Sequence, residues 1–450
     1  MISIMQNKKN VLIKIAAVAF WVAVWCILSL IQNNRLLIPS PVDTVVALVE
    51  LMGKADFYVA VAGSLIRIMC GFGVAMCLGV LLGYLGYRVK LIREFTTPLA
   101  GVCKSVPVAA FAVILLILFG HEQIGFYISL IVVFPVVFIS VSEGLDSVDG
   151  KLLEMASVFK MSQKNRLMYI FRPALKPYIC SSVKTGIGMA WKAGVAAEVI
   201  GLTSASIGGE LYESKVYFET AQVFAWAVVT VLLSFILEKL VLWLVRLIMD
   251  AEVSCTVEKA YQSRLTDVIV EKLYKAYGDK ALYVDYSERF ERGGRYTIST
   301  PSGSGKTTLL QMIAGNVSPD KGEVKYASGD EGAVGGQETS VRVSMVFQED
   351  RLSEEYSAVR NVCMVGIGEK AARDALSKVL DSESLDKPCR ELSGGMKRRV
   401  AIVRALTYPS DIVLMDEPYT GMDEETIKCV KAYIDEAIEG RTMIVATHIL

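Results

Sequence analysis

Histidine is nearly missing from this chain: His121 and His448 are the two among 450 residues. No cysteine pair has C-x-x-C spacing, and the nine cysteines (Cys26, Cys70, Cys77, Cys103, Cys180, Cys255, Cys363, Cys389 and Cys429) are scattered. These absences argue against a zinc ribbon or a dithiol redox motif, and the odd count fits free thiols in a reducing compartment. Net charge is missing as well. The 47 basic and 47 acidic residues cancel, so no general attraction to nucleic acid is expected. Short-period repeats and low-complexity segments are also lacking.

What the chain has is long apolar runs. The hydrophobic share is 53% and the mean hydropathy +0.43, a combination that soluble proteins seldom reach. The length allows two or three domains. Composition divides the chain: residues 1–250 are dominated by apolar stretches, 251–265 read as a linker, and from 266 charge rises while apolar runs shrink to strand length. The amino-terminal lysines precede a run too long for a signal-peptide core, so it reads as a retained span. A helix needs about 20 apolar residues to cross the hydrocarbon core. Six segments are candidates: 11–31, 65–87, 99–120, 124–141, 180–201 and 223–249.

Loop charge supplies an orientation. Lys8, Lys9 and Lys14 flank the first span, and Arg88, Lys90 and Arg93 follow the second. Lys151, Lys160, Lys164, Arg166, Arg172 and Lys176 crowd the loop between the fourth and fifth. All fall on one side of a six-span arrangement, which the positive-inside rule makes cytoplasmic. An even number of spans puts both termini there, in a multi-pass protein of the cell membrane. Within the spans, Gly79 and Gly83 have the G-x-x-x-G spacing that lets helix backbones approach. Lys184, Lys192 and Glu198 are costly at membrane depth, and either line a pathway or, for Lys184, snorkel to an interface.

The strongest local signal is Pro301-Ser302-Gly303-Ser304-Gly305-Lys306-Thr307-Thr308. It follows a short β-like stretch, 296–299, and precedes the apolar helical pattern of Leu309, Leu310, Met312 and Ile313. That is the setting of a phosphate-binding loop, in which glycines let backbone amides curl around phosphate oxygens at a helix amino terminus. Lys306 is expected on the β- and γ-phosphates and the Thr307 hydroxyl on magnesium. The pattern G-x-x-x-x-G-K-[ST] asks for glycine at 300, where this chain has Thr300. A positive φ there would strain a β-branched residue. Downstream, the apolar run Ile412-Val413-Leu414-Met415 ends in Asp416-Glu417. Such a strand either has a solvated acidic end or delivers a metal-holding Asp416 and a water-polarising Glu417.

Together with Leu392-Ser393-Gly394-Gly395, these motifs make the second half resemble the ATP-binding cassette family of transport ATPases. The resemblance implies an α/β P-loop ATPase domain over 266–450, short at its carboxy terminus because only two residues follow His448. It implies ATP and Mg2+ as cofactors. Nucleotide contacts would come from Tyr277, Ser302, Gly303, Ser304, Gly305, Lys306, Thr307 and Thr308. Ser393, Gly394 and Gly395 would act across a dimer. Thr307, Gln348 and Asp416 would serve the metal, and Glu417, Gln348 and His448 the hydrolysis. Gly421-Met422-Asp423 stands where the family has its dimer-contacting aspartate loop.

In the first half, Glu154-Met155-Ala156 with Lys160, Ile170 and Pro173 resembles the importer permease motif E-A-A-x-x-x-G, with Lys160 in place of glycine. In that family the motif forms a helix that docks on the ATPase. Leu37-Ile38-Pro39-Ser40-Pro41, Ala190-Trp191 and Ala197-Glu198 narrow the likeness to nitrate, sulfonate and taurine importers, a group that includes carriers of thiamine-precursor pyrimidines. The fold expected is thus a membrane all-α six-helix permease bundle plus the ATPase domain. The function implied is ATP-driven import of a small-molecule substrate by a translocase. Its partners would be a second copy of the chain, an extracytoplasmic substrate-binding protein and membrane lipid. The competing reading is a nucleotide-binding membrane regulator or a decayed transporter with little hydrolysis.

Overall fold

In the computed structural model, residues 2–32, 34, 37–251, 257, 261, 263, 266–278, 280–301, 303–328 and 341–447 are described. They form two units, Met1–Ser147 with Leu175–Ala251, and Val148–Ala174 with Glu252–Leu450.

The apolar runs become helices because a backbone in hydrocarbon must satisfy its hydrogen bonds internally. The elements are α1 (Ile2–Gln32), α2 (Pro41–Met52), α3 (Ala55–Arg88), α4 (Lys90–Ser105), α5 (Val108–Phe119) and α6 (Ile124–Asp146). After them come α7 (Gly150–Val158), α8 (Gln163–Arg166), a π-helical turn (Leu167–Phe171), α9 (Arg172–Gly201), α10 (Ile207–Val216) and α11 (Thr220–Asp250). A capping box starts α2: the Ser40 side chain accepts from the Asp43 amide, and Asp43 accepts from the Ser40 amide, with Pro41 in the first turn.

One of the six expected spans is corrected, and a second is helical without qualifying on composition. Among the described residues, four helices are long and apolar enough to cross a membrane: Ile15–Gln32 within α1, α3, α6 and α11. The expected span 99–120 is instead two helices, α4 and α5, bent by 105° at the break. Val106 is extended (φ −77°, ψ 131°), as the following proline ring demands. The segment 180–201 is helical within α9, but α9 is not apolar enough to pass as a span on composition. Lys184, Lys192 and Glu198 are the reason.

Helices α3 and α6 pack through glycine. A Cβ on Gly79 would lie 2.7 Å from Val137 Cβ, and one on Gly83 2.7 Å from Val141 Cγ1. Bare backbone is what lets the two helices meet at this distance. Glu198 is fully buried. It accepts from Ser64 Oγ at 2.5 Å and from Arg67 Nε at 3.2 Å. Arg67 also donates to the Ala205 carbonyl at 2.9 Å, and the Ile207 amide to Ser64 Oγ at 2.9 Å. The carboxylate therefore ties α3, α9 and the start of α10 together.

The second unit holds β1 (Thr266–Tyr277), β2 (Lys280–Phe290), β3 (Arg295–Ile298), α12 (Lys306–Ile313), β4 (Lys321–Ser328), β5 (Val343–Val346), α13 (Ala358–Cys363) and α14 (Glu369–Leu376). It continues with α15 (Gly394–Thr407), β6 (Ile412–Asp416), α16 (Glu424–Ala437) and β7 (Thr442–Ala446). One sheet is antiparallel in the order β2-β1-β4, and the other is ordered β3-β7-β6-β5. All pairs in the latter are parallel. β5, β6 and β7 are buried throughout, as parallel strands covered on both faces are. Ala446 pairs with both Ile298 and Asp416, which brings the carboxyl ends of three strands to one edge.

Residues 148–174, read from sequence as part of the 1–250 permease, pack within this second unit. Met155, Phe159, Tyr169 and Ile170 are buried in one core with Val346, Phe347 and Tyr408. Phe159 meets Tyr408 edge-on at 5.2 Å. Asn165 Nδ2 donates to the Met364 carbonyl at 3.1 Å, and Glu154 pairs with Arg351 at 2.8 Å. The end of α7 explains the family glycine. The Met161 amide donates to the Ala156 carbonyl at 2.9 Å and the Lys160 amide to the Ser157 carbonyl at 3.1 Å. This is a Schellman closure, which needs a left-handed residue. Lys160 supplies it at φ +45°.

Candidate nucleotide site

The loop between β3 and α12 is shaped by two left-handed glycines, Gly303 (φ +77°) and Gly305 (φ +98°). A Cβ on Gly303 would meet nothing within 4 Å, so its face is open to a ligand. A Cβ on Gly305 would lie 2.9 Å from Tyr283 Cε2. Tyr283, on β2, thus backs the loop, and burial pushes its hydroxyl up to about 12. The Lys306 ammonium donates to the Thr300 carbonyl and, at 3.4 Å, to that of Pro301. Thr300 is not among the described non-glycine residues with positive φ, so its β-branch is not strained. Its hydroxyl shares a 2.6 Å hydrogen bond with Ser304.

Gly303, Ser304, Gly305, Lys306, Thr307, Thr308, Gln348 and Glu417 line one cavity of about 300 Å³, with Leu282. Asp416 closes β6 beside it. Burial raises its carboxyl above the ordinary range, and the Thr307 hydrogen bond works the other way. Its buried Oδ2 has no hydrogen-bond partner among the described residues. Glu417 adopts φ +49°, a conformation that costs a non-glycine residue about 1–2 kcal/mol. Such strain persists where the surroundings over-determine it. Here the Glu417 amide donates to the Ala446 carbonyl at 2.9 Å, and Arg398 Nη2 donates to the Glu417 carbonyl at 2.7 Å.

Arg398 escaped the sequence reading. Buried on α15, it donates to the carbonyls of Phe347 and Asp416, to Gln348 at 3.3 Å and to Asp350 Oδ1 at 3.2 Å. It thereby fixes the loop after β5 against the acidic end of β6. The doubled Arg398-Arg399 on an amphipathic helix was the available signal. Leu282 and Tyr283 carried none, since contact with a loop seventeen or more residues on depends on strand pairing.

Other expected residues are not brought together within one chain. Ser393, Gly394 and Gly395 line a second cavity, about 470 Å³, with Gly421, Met422 and Asp423. Gln348 lines both cavities. Ser393 caps its own helix, accepting from the Met396 amide at 3.3 Å. Tyr277 is 53% exposed and lines neither cavity. Ser302 and His448 lie outside the described residues.

Residues 283–420 match the family model "ABC transporter", and residues 75–250 match "Binding-protein-dependent transport system inner membrane component". The arginine/ornithine transport ATP-binding protein of Pseudomonas aeruginosa is 34% identical over 202 residues, covering 40% of this chain and 80% of that protein. The chain belongs to the ABC transporter family. The Nod factor export ATP-binding protein I of Burkholderia orbicola is 31% identical over 185 residues, 39% of this ABC transporter chain. The chain spans 60% of that relative's length. Among solved structures, the dimeric ATP-binding cassette MJ0796 bound to ADP and Pi is 25% identical, covering 40% of this chain and 88% of that one, with a TM-score of 0.35.

A permease segment and an ATPase segment are thus fused in one ABC transporter chain. In the ATPase segment, the donor set fits a nucleotide with its divalent cation. Among the described residues, no group of three or more His, Cys, Asp or Glu side chains could hold a metal. A magnesium ion held by few protein ligands and by phosphate oxygens needs no such group. The unpartnered Asp416 oxygen beside Thr307 is the ligand it would need.

Proposed function

We propose that the chain is one half of an ATP-driven importer of a small solute, with its permease in the cell membrane and its ATPase in the cytoplasm. The observation that carries this is the cavity in which Lys306, Thr307, Gln348 and Glu417 converge beside the unpartnered oxygen of Asp416. Lys306 and the amides around Gly303 bind the phosphates, and Thr307 and Asp416 hold Mg2+, with Gln348 as a further ligand. When bound, that ion neutralises phosphate charge. Glu417 orients a water and takes its proton. His448 is assigned to the γ-phosphate and Tyr277 to the adenine on family resemblance.

Two copies are required in this reading. Ser393–Gly395 line a separate cavity of the same chain, so the signature of one copy would serve the nucleotide of the other. A homodimer supplies a complete set. Closure would be felt by 148–174, whose α7 is bound into the ATPase core. The inner-membrane match favours import and a separate extracytoplasmic binding protein as partner. The solute class proposed is that of nitrate, sulfonate and taurine or of thiamine precursors. Orientation follows the basic loops, with both termini cytoplasmic.

The test is ATP hydrolysis by the full chain in lipid nanodiscs, with Glu417→Gln alongside. Magnesium-dependent turnover that the substitution abolishes is expected. Nucleotide binding without turnover in the unsubstituted chain sinks the importer reading and leaves the nucleotide-binding regulator.

A further inference from the structure

The helix that fails as an apolar span presents two surfaces. Within the first unit α9 runs over residues 175–201. One side is buried, through Val183, Ile187, Trp191, Val195 and Glu198. The other carries Ser181, Lys184, Thr185, Gly188, Met189 and Lys192, none of them buried. Residues 181, 184, 185, 188 and 192 recur at the three- and four-residue steps of a single stripe.

We propose that this stripe lines an aqueous passage for an anionic solute, with Lys184 and Lys192 as its cationic contacts. The proposal rests on the transport reading above and narrows its solute to one that carries negative charge.

Three observations favour this reading over a lipid-facing stripe. The first is depth. Gly188 is the midpoint of 175–201, and each lysine stands four residues away, about 6 Å along the axis. The hydrocarbon half-thickness is about 15 Å. Helical side chains lean toward the amino terminus, so Lys192 leans toward the midpoint rather than out to an interface. The Lys192 ammonium is therefore kept from the headgroups, whereas that of Lys184 leans toward the nearer interface. The second is space. A Cβ on Gly188, between the lysines, would meet nothing within 4 Å.

The third is charge. Neither lysine has an ion-pair or hydrogen-bond partner among the described residues. The one carboxylate of α9, Glu198, is buried and engaged by Ser64 and Arg67. The stripe thus carries two uncompensated positive charges. Faces suited to lipid look different in this chain: the exposed side chains of α1 include Val18 and Trp21, and those of α11 include Leu232, Phe235 and Leu240. A cationic stripe at such depth needs water and favours anions.

The test is thiol reactivity at Gly188→Cys in the full chain in nanodiscs, read by peptide mass so that native cysteines do not interfere. The probes are an anionic sulfonatoethyl methanethiosulfonate and a cationic trimethylammonioethyl methanethiosulfonate, with rates normalised to a free thiol. Ser181→Cys is the second position should the first variant fold poorly. We expect labelling by both water-soluble probes, with the anionic one favoured roughly tenfold at this distance from two charges. The preference should fall toward unity when Lys184→Gln and Lys192→Gln are added. Labelling only by a lipid-partitioning maleimide, or by no reagent, overturns the passage. Labelling without a lysine-dependent preference overturns the anion assignment. Loss of the ATPase result alone, with this pattern retained, fails the transport reading and leaves the passage supported.

Discussion

The two units place the same residue types on opposite sides. In the first, α11 exposes Leu232, Phe235, Ile236, Trp243 and Leu247, while the charged pair Glu198–Arg67 lies inside. In the second, Val268, Leu310, Val346, Leu414 and Ile444 are buried, and pairs such as Arg373–Asp386 and Lys387–Glu383 ring the outside. The difference teaches that burial alone does not measure what an apolar residue contributes. Against lipid, an exposed leucine is already satisfied, and helices are held by close backbone contact, as at Gly79 and Gly83, and by interior polar bonds. Against water, apolar burial dominates and exposed ion pairs add little, typically below about 1 kcal/mol.

The sharpest break in this comparison is expected at Glu417, whose left-handed backbone (φ +49°) holds it in the cavity proposed for hydrolysis. Glu417→Gln should lower hydrolysis by about 10²–10⁴-fold, the usual worth of a positioned base, with nucleotide affinity retained in an equilibrium binding assay. Unchanged turnover would remove Glu417 from the mechanism.

Next is Phe159→Ala, which tests whether 148–174 obeys water-driven rules despite its place in the permease half. Phe159 is fully buried against Tyr408. Its loss should destabilise the second unit by about 3–5 kcal/mol, seen as a lower thermal midpoint in detergent. A change below about 1 kcal/mol would show that the loop docks by its polar contacts instead.

In the first unit, Glu198→Ala leaves Arg67 and Ser64 without their acceptor. A loss of about 3 kcal/mol or more is expected, read by thermal unfolding in nanodiscs. Neutrality would place Glu198 among dispensable polar groups and blur the contrast.

The smallest effect is assigned to Lys160→Gly. The left-handed backbone favours glycine by about 1 kcal/mol. Against it stands one exposed hydrogen bond, from Lys160 Nζ to the Val341 carbonyl at 2.8 Å. Net stabilisation of no more than about 0.5 kcal/mol is expected in urea unfolding of the second unit. Destabilisation would mean that the lysine contact outweighs the strain.

Much of the site was legible because its pieces are local. A glycine-rich run after a β-like stretch, and an apolar strand ending in Asp416-Glu417, need only neighbouring residues to announce a phosphate loop and an acidic edge. The same holds for long apolar runs, which solvent turns into helices whatever surrounds them. Resemblance carried Ser393–Gly395 and Glu154, whose proposed roles need a docking surface that no local pattern encodes.

The order of composition, the two halves and the phosphate loop were thus determined by sequence alone, since each depends on interactions over a few residues. Tertiary structure decided the rest. It broke 99–120 at Val106-Pro107, and it carried 148–174 into the core of the second unit. It gave Arg398 its carbonyl acceptors, and it separated the charges of α9, burying Glu198 and leaving Lys184 and Lys192 exposed. These outcomes turn on which side chain from a distant segment occupies a given volume, and periodicity along one segment does not contain that information.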